Sequence, residues 1–185
     1  TQETLLKLPA TGKVAWVYGN ADSAGFYRTD YAPPLMKALE MDMSNTLKAI
    51  ERVGALADLW ALCQSGDRTI SSFLETLHQL SRDESQGDKN RTVLVTICNI
   101  LEMISRQMVS QSDHSRFASF VEDCLCPIWE KVSWDTLDDD DDERRLLRSA
   151  LLWTMGAVAQ NEEILSELPR RQSLYTVRPN RLDPT

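Results

Sequence analysis

At Pro33-Pro34 the chain changes hydrophobic period, and this change limits its fold more than any other feature. Before it, apolar residues alternate in short runs: Val14-Ala15-Trp16-Val17-Tyr18, then Phe26 to Tyr31. Turns at Ala10-Thr11-Gly12-Lys13 and Gly19 to Gly25 separate them, and Leu5 to Pro9 makes a further short run. Alternation bounded by Gly, Asn, Asp and Pro predicts strands. After Pro33 the apolar residues recur about every 3.6 positions, which predicts amphipathic helices. Three short strands bury little by themselves. They are expected to lie on the helices or on a β-domain outside this chain.

The helical register can be followed to Pro169. Leu35, Ala38, Leu39 and Met43 form one stripe behind Pro33-Pro34, residues suited to a helix start. Ser44 or Asn45 is expected to cap the next helix, with Leu47, Ile50, Ala57, Trp60 and Ala61 in register and Gly66 as its stop. Thr69 caps a third helix carrying Ile70, Phe73, Leu74, Leu77 and Leu80. Ser85 to Asn90 is a polar loop. Thr92 to Met108 is apolar on most sides and too long for a strand, so it predicts a central buried helix. Ser112 or Asp113 opens another with Phe117, Phe120, Val121, Cys124, Leu125 and Ile128, kinked at Pro127. Glu143 to Ala159 follows, and Asn161 caps a short last helix ended by Pro169. About seven helices on short loops predict an all-α fold. Antiparallel pairs would stack as a HEAT- or armadillo-like α-superhelix, with a short β segment at the N-terminus. The expected organisation is 1–31 for the β segment, as the end of a sandwich or linker, and 32–185 for the helical domain.

Composition narrows the function. A net charge of −8, from 28 acidic and 20 basic residues, opposes binding to a nucleic-acid backbone. The apolar runs are too short for a membrane span. Cys63, Cys98, Cys124 and Cys126 contain no Cys-x-x-Cys pair; they read as free thiols, which favours a reducing compartment, the cytoplasm. His78 and His114 are the two histidines and neither has a partner four residues away, so the chain lacks His-Glu-x-x-His and with it a zinc-peptidase centre. Gly-x-Ser-x-Gly and phosphate-loop patterns are also missing. Asp138 to Asp142 lack the alternation and mid-loop Gly of an EF-hand; they read as an exposed loop whose carboxylates face the next helix's N-terminus. No catalytic, cofactor-binding or metal residue is expected in this chain.

The segment from Asn20 through Gly25-Phe26-Tyr27-Arg28 to Tyr31 resembles the Asn…Gly-Tyr-Tyr-Arg-Val-x-Tyr signature of zinc aminopeptidases of the aminopeptidase N, puromycin-sensitive and endoplasmic-reticulum type. Arg52 to Gly66, through Leu56, Asp58 and Leu62, is similar to that family's Arg-x-x-x-Leu-x-Asp-x-Phe-x-Leu-x-x-x-Gly segment, with Trp60 in place of Phe. Residues Phe120 to Trp134 and Asp142 to Ser149 resemble two later family helices, Ser133 standing where the family has Gly. The resemblance implies a non-catalytic C-terminal fragment, truncated at its C-terminal end, that caps an active-site chamber and controls peptide access. It places the zinc and the catalysis in an upstream domain of the same polypeptide. The start at Thr1 fits an excised or processed piece. Gly25, Phe26, Tyr27, Arg28 and Tyr31 would form a junction motif, with Arg28 paired to Asp58 or Asp30. The alternative is a stand-alone helical-repeat module that binds protein or peptide.

Overall fold

The computed structural model describes residue 12 and residues 14–85, 91–137 and 140–177. A 3-10 turn at Ala21–Ser23 precedes seven helices: α1 (Pro33–Thr46), α2 (Ala49–Ser65), α3 (Ile70–Ser85), α4 (Arg91–Gln107), α5 (His114–Val132), α6 (Asp142–Ala157) and α7 (Glu162–Val177). The fold is all-α. From α1 to α4, each helix lies against the next but one. Thus α1, α3 and α5 form one row and α2, α4 and α6 a second, while α2–α3, α3–α4, α4–α5 and α5–α6 contacts join the rows. α7 packs on α6.

The core runs between the rows, and α4 is its centre. Val93, Leu94, Ile97, Cys98, Ile100, Leu101 and Ile104 are all buried there, as the near-continuous apolar run required. Phe73, Leu77 and Leu80 of α3 meet it from one row, with Val121, Leu125 and Ile128 of α5. Leu56 and Leu59 of α2, and Leu147, Leu151 and Met155 of α6, meet it from the other. Each such side chain contributes roughly 1.5–3 kcal/mol of burial.

Local signals act largely where the sequence puts them. Pro33 and Pro34 open α1, and Gly66 ends α2 in the left-handed region (φ 83°). The Thr69 Oγ1 accepts the Ser72 N–H at 3.3 Å, and Asn161 Oδ1 accepts that of Ile164 at 3.0 Å. α5 runs unbroken through Pro127.

Three expectations need correction. Neither 14–18 nor 26–31 forms a strand; among the described residues there is no partner strand, and the polar groups of this segment bond to α2 instead. The run at 5–9 lies outside the described residues. Ser44 and Asn45 do not cap α2, because α1 continues to Thr46. Lys48 takes the N-cap position, and Glu51 Oε2 accepts its N–H at 2.8 Å. Pro169 does not end α7, which continues to Val177. Proline there frees the carbonyl of Leu165, an exposed residue that water can satisfy. Beyond it, Arg171 bonds Glu167 on the preceding turn (3.1 Å) and Asp135 on the α5–α6 connection (2.8 Å), and sits 4.7 Å over the Trp134 ring. These contacts hold the turn that proline weakens.

At Ser133 the α5 C-cap adopts φ 57°, ψ −177°, a conformation suited to glycine. Its carbonyl is held by Arg148 Nε at 3.1 Å. Ser133→Gly is therefore expected to stabilise the chain by about 1 kcal/mol, read as a higher thermal midpoint.

Candidate functional site

Residues 14–32 lie across α2 and are fastened to it by polar groups. Tyr18 Oη donates to the Glu51 carbonyl (3.1 Å) and Ser23 Oγ to that of Ile50 (3.0 Å). The Asp22 N–H donates to Glu51 Oε1 at 2.8 Å, so one carboxylate both caps α2 and holds the 3-10 turn. Further along, Arg28 Nη1 donates to the Ala57 carbonyl (3.0 Å) and lies 3.8 Å from Asp58 Oδ1. Asp58 Oδ2 accepts both the N–H and the hydroxyl of Thr29, at 3.0 and 2.7 Å.

The segment is also closed on itself. Tyr27 Oη donates to the Gly19 carbonyl (2.6 Å), and the Gly19 N–H donates to Tyr31 Oη (2.7 Å). Asn20 brackets Gly25, accepting its N–H at 2.7 Å and donating to its carbonyl at 3.2 Å. A Cβ on Gly25 would fall 2.1 Å from the Tyr27 ring. Gly25, Tyr27, Arg28 and Tyr31 therefore converge on one clasp against α2, whereas Phe26 is fully exposed. Arg28→Ala should lower the unfolding midpoint by a few degrees, equivalent to about 1 kcal/mol. An unchanged midpoint with altered peptide affinity would assign Arg28 to substrate contact.

The second motif lies along α2. Leu56 is fully buried, Leu62 is half-buried with its carbonyl accepting the Asp67 and Arg68 N–H groups, and Gly66 turns the chain toward α3. Arg52 is buried against Glu84 of α3, its Nε 3.1 Å from Oε1, and Nη1 donates to the Ser44 carbonyl at 2.5 Å. One guanidinium thus ties α1, α2 and α3. Sequence reading missed Glu51, Glu84 and Gly54 as parts of this region. A glycine inside a helical pattern was the available signal: a Cβ on Gly54 would meet Ser23 Oγ at 2.6 Å.

A third cluster closes the α5–α6 connection. Asp141 caps α6, accepting the Arg144 N–H at 2.8 Å, and also pairs with Arg91 of α4. Asp140 is sealed, with Arg148 Nη2 at 2.5 Å, Arg144 Nε at 2.9 Å and the Leu137 N–H at 3.1 Å. Arg148 also donates to the Ser133 and Asp135 carbonyls. An arginine occupies the place that a cation hypothesis would give to a metal. Asp138 and Asp139 lie outside the described residues.

Among the described residues no three His, Cys, Asp or Glu side chains gather as a metal set. His78 Nε2 lies 2.9 Å from Asp123 Oδ2 across α3 and α5, and His114 begins α5. The cysteines are unbridged. Burial pushes the Cys98 and Cys124 thiols up to about 12 and also raises those of Cys63 and Cys126, so thiolate chemistry is suppressed.

The α4–α6 side offers a surface instead. Leu146, Ala150 and Trp153 lie along one face of α6, opposite its buried Leu147, Leu151 and Met155; Leu146 and Trp153 are exposed. Leu146 and Ala150, with Arg91, Thr92, Val95 and Glu143, border a groove of about 320 Å³. No helix among the described residues is long and apolar enough to cross a membrane.

Comparison with known proteins bears on this arrangement. The family model described as "ERAP1-like C-terminal domain" matches residues 16–184, from the clasp through α7. The chain is 27% identical over 161 residues to aminopeptidase M1-A of Oryza sativa subsp. japonica, covering 86% of this chain and 18% of that protein. Aminopeptidase M1 of Arabidopsis thaliana is 27% identical over 165 residues, again covering 86% and 18%. The puromycin-sensitive aminopeptidase of Caenorhabditis elegans is 29% identical over 84 residues, 45% of this chain and 9% of that protein. The chain thus spans less than a fifth of the length of these relatives.

Proposed function

This chain belongs to the ERAP1-like C-terminal domain family, and from that premise we propose that it is the non-catalytic helical part of a zinc-dependent aminopeptidase. In this reading the zinc and the peptide-bond chemistry belong to an upstream domain of the same polypeptide, and the helices cap its chamber and govern which peptides enter. The family match carries the reading, because it covers nearly the whole chain while the chain lacks the His-Glu-x-x-His pair that such chemistry needs.

The packing is consistent with that role. Two rows of packed helices suit a wall of the kind that HEAT-like stacks build. A wall over a reaction chamber excludes water and fixes substrate orientation, both of which favour turnover. The apolar face of Leu146, Ala150 and Trp153 is suited to hydrophobic side chains of an incoming peptide. Four free thiols favour a reducing compartment, the cytoplasm.

The test uses the full-length protein. Its coding sequence should read upstream through a His-Glu-x-x-His zinc site. The enzyme carrying Trp153→Glu should change its relative activity on long peptides while its rate on an aminoacyl-naphthylamide stays the same. An open reading frame that begins near residue 1, with no zinc site, would favour a stand-alone peptide-binding module. An unaltered length profile would remove the access role.

A further inference from the structure

Between the start of α1 and the start of α3 the surface opens into a cleft of about 500 Å³, in the size range of small-ligand sites. Arg68, in the α2–α3 turn, lines it with a side chain only 16% exposed. Its guanidinium lies 3.7 Å from Glu40 Oε1 and 4.0 Å from Asp30 Oδ1. Both separations exceed a hydrogen bond, so the donors of this fork are not taken up by either carboxylate. Lys37 of α1 also borders the cleft, and the first turn of α3, at Thr69 and Ser72, presents the positive end of its dipole.

Opposite charge lines the same space, from Asp30, Glu40, Asp67 and Glu75, and outnumbers the two cations. Glu40 is half-buried, with Oε1 held by the Thr76 hydroxyl at 3.1 Å, and Glu75 stands one turn along α3 from Ser72. Burial pushes the Glu40 carboxyl above its ordinary range, and the Thr76 hydrogen bond and the Arg68 charge offset this only in part. Its negative charge is therefore under-compensated by the protein. Tyr31 and Met36 supply an apolar wall. A simple anion would meet the carboxylates and a simple cation would meet Arg68 and Lys37. A ligand with both charges and a short apolar body satisfies each side.

We infer that this cleft binds a small zwitterion, a free amino acid or dipeptide, with its carboxylate at Arg68 and Lys37 and its ammonium at Glu40 and Glu75. The site uses residues of α1, α3, the turn before α3 and the segment leading into α1, and stands apart from the proposed peptide-contact face on α6. It is independent of the capping role.

The test is amide-resolved NMR titration of the whole chain with leucine and Leu-Leu as probes, up to about 10 mM. Either probe should shift the amides of Tyr31, Glu40 and Arg68 to Ser72. N-acetyl-leucine, without the ammonium, and leucinamide, without the carboxylate, should each bind about tenfold or more weakly. Arg68→Gln should weaken leucine by a similar factor. If that variant unfolds, the analogue series on the unaltered chain still decides. Absence of shifts at these amides, or equal binding of either blocked analogue, would overturn the assignment.

Discussion

Replacing Arg148 by methionine is expected to destabilise the chain by about 3–5 kcal/mol, a midpoint roughly 10 °C lower. The reason is geometric: Arg148 and Asp140 have side chains 2% and 0% exposed, and neither can recover hydration if its partner goes. The variant leaves a sealed carboxylate with only Arg144 and the Leu137 N–H. It also releases the Ser133 and Asp135 carbonyls, so the strained Ser133 loses its anchor. Arg148→Met with Asp140→Asn should be more stable than Arg148→Met alone, because the second change removes the uncompensated charge. A double variant no more stable than the single one would count against this account.

The same cluster sets the response to acid. Burial pushes the Asp140 carboxyl up, but the Arg148 hydrogen bond, the Leu137 N–H and the charges of Arg148 and Arg144 together hold it below its ordinary 3.8. The Asp135 carboxyl is lowered chiefly by its Arg171 hydrogen bond, and that of Asp141 by the Arg144 N–H and then Arg91. A carboxylate depressed on folding stabilises the fold above its unfolded value and loses that contribution as pH falls through the folded value. Stability should thus be flat at neutral pH and fall below about pH 4, with the α5–α6 connection loosening early. Chemical denaturation at a series of pH values measures it.

Arg52→Met is the second large effect, again about 3–5 kcal/mol. Arg52 and Glu84 are 5% and 4% exposed, and Arg52 joins the start of α2 to the ends of α1 and α3. The loss should show as a lower denaturation midpoint, together with faster amide exchange at the ends of α1 and α3, where Ser44 and Glu84 sit. A variant that keeps the parent midpoint would mean that Arg52 is not part of what holds these helices together.

Periodicity made the helices legible because each one has a single buried stripe, and Val93 to Ile104 shows the clearest case. Gly66, Thr69 and Asn161 act locally, so their positions alone indicated helix ends. Ser44 and Pro169 misled for the same reason. Ser44 faces Asp83 and Arg52 across the fold, and Arg171 carries α7 past its proline by reaching Trp134. Tertiary partners decided both, and one-dimensional spacing does not record them. The aromatic alternation at 26–31 predicted a strand, but Tyr27 and Tyr31 use their hydroxyls on Gly19 instead of pairing their backbone with a sheet. The clasp residues were found by resemblance, whereas the buried Arg–carboxylate pairs lie 32 and 8 positions apart and leave no periodic trace.

Since every helix leans mainly on partners one or two places away along the chain, rigidity here is a neighbour-to-neighbour property, and small tilts at successive joints add up. Deuterium should enter last at the middle of α4, packed against helices of both rows, and progressively sooner toward α1 and α7. Such a stack yields like a leaf spring, bending as a whole with no single hinge.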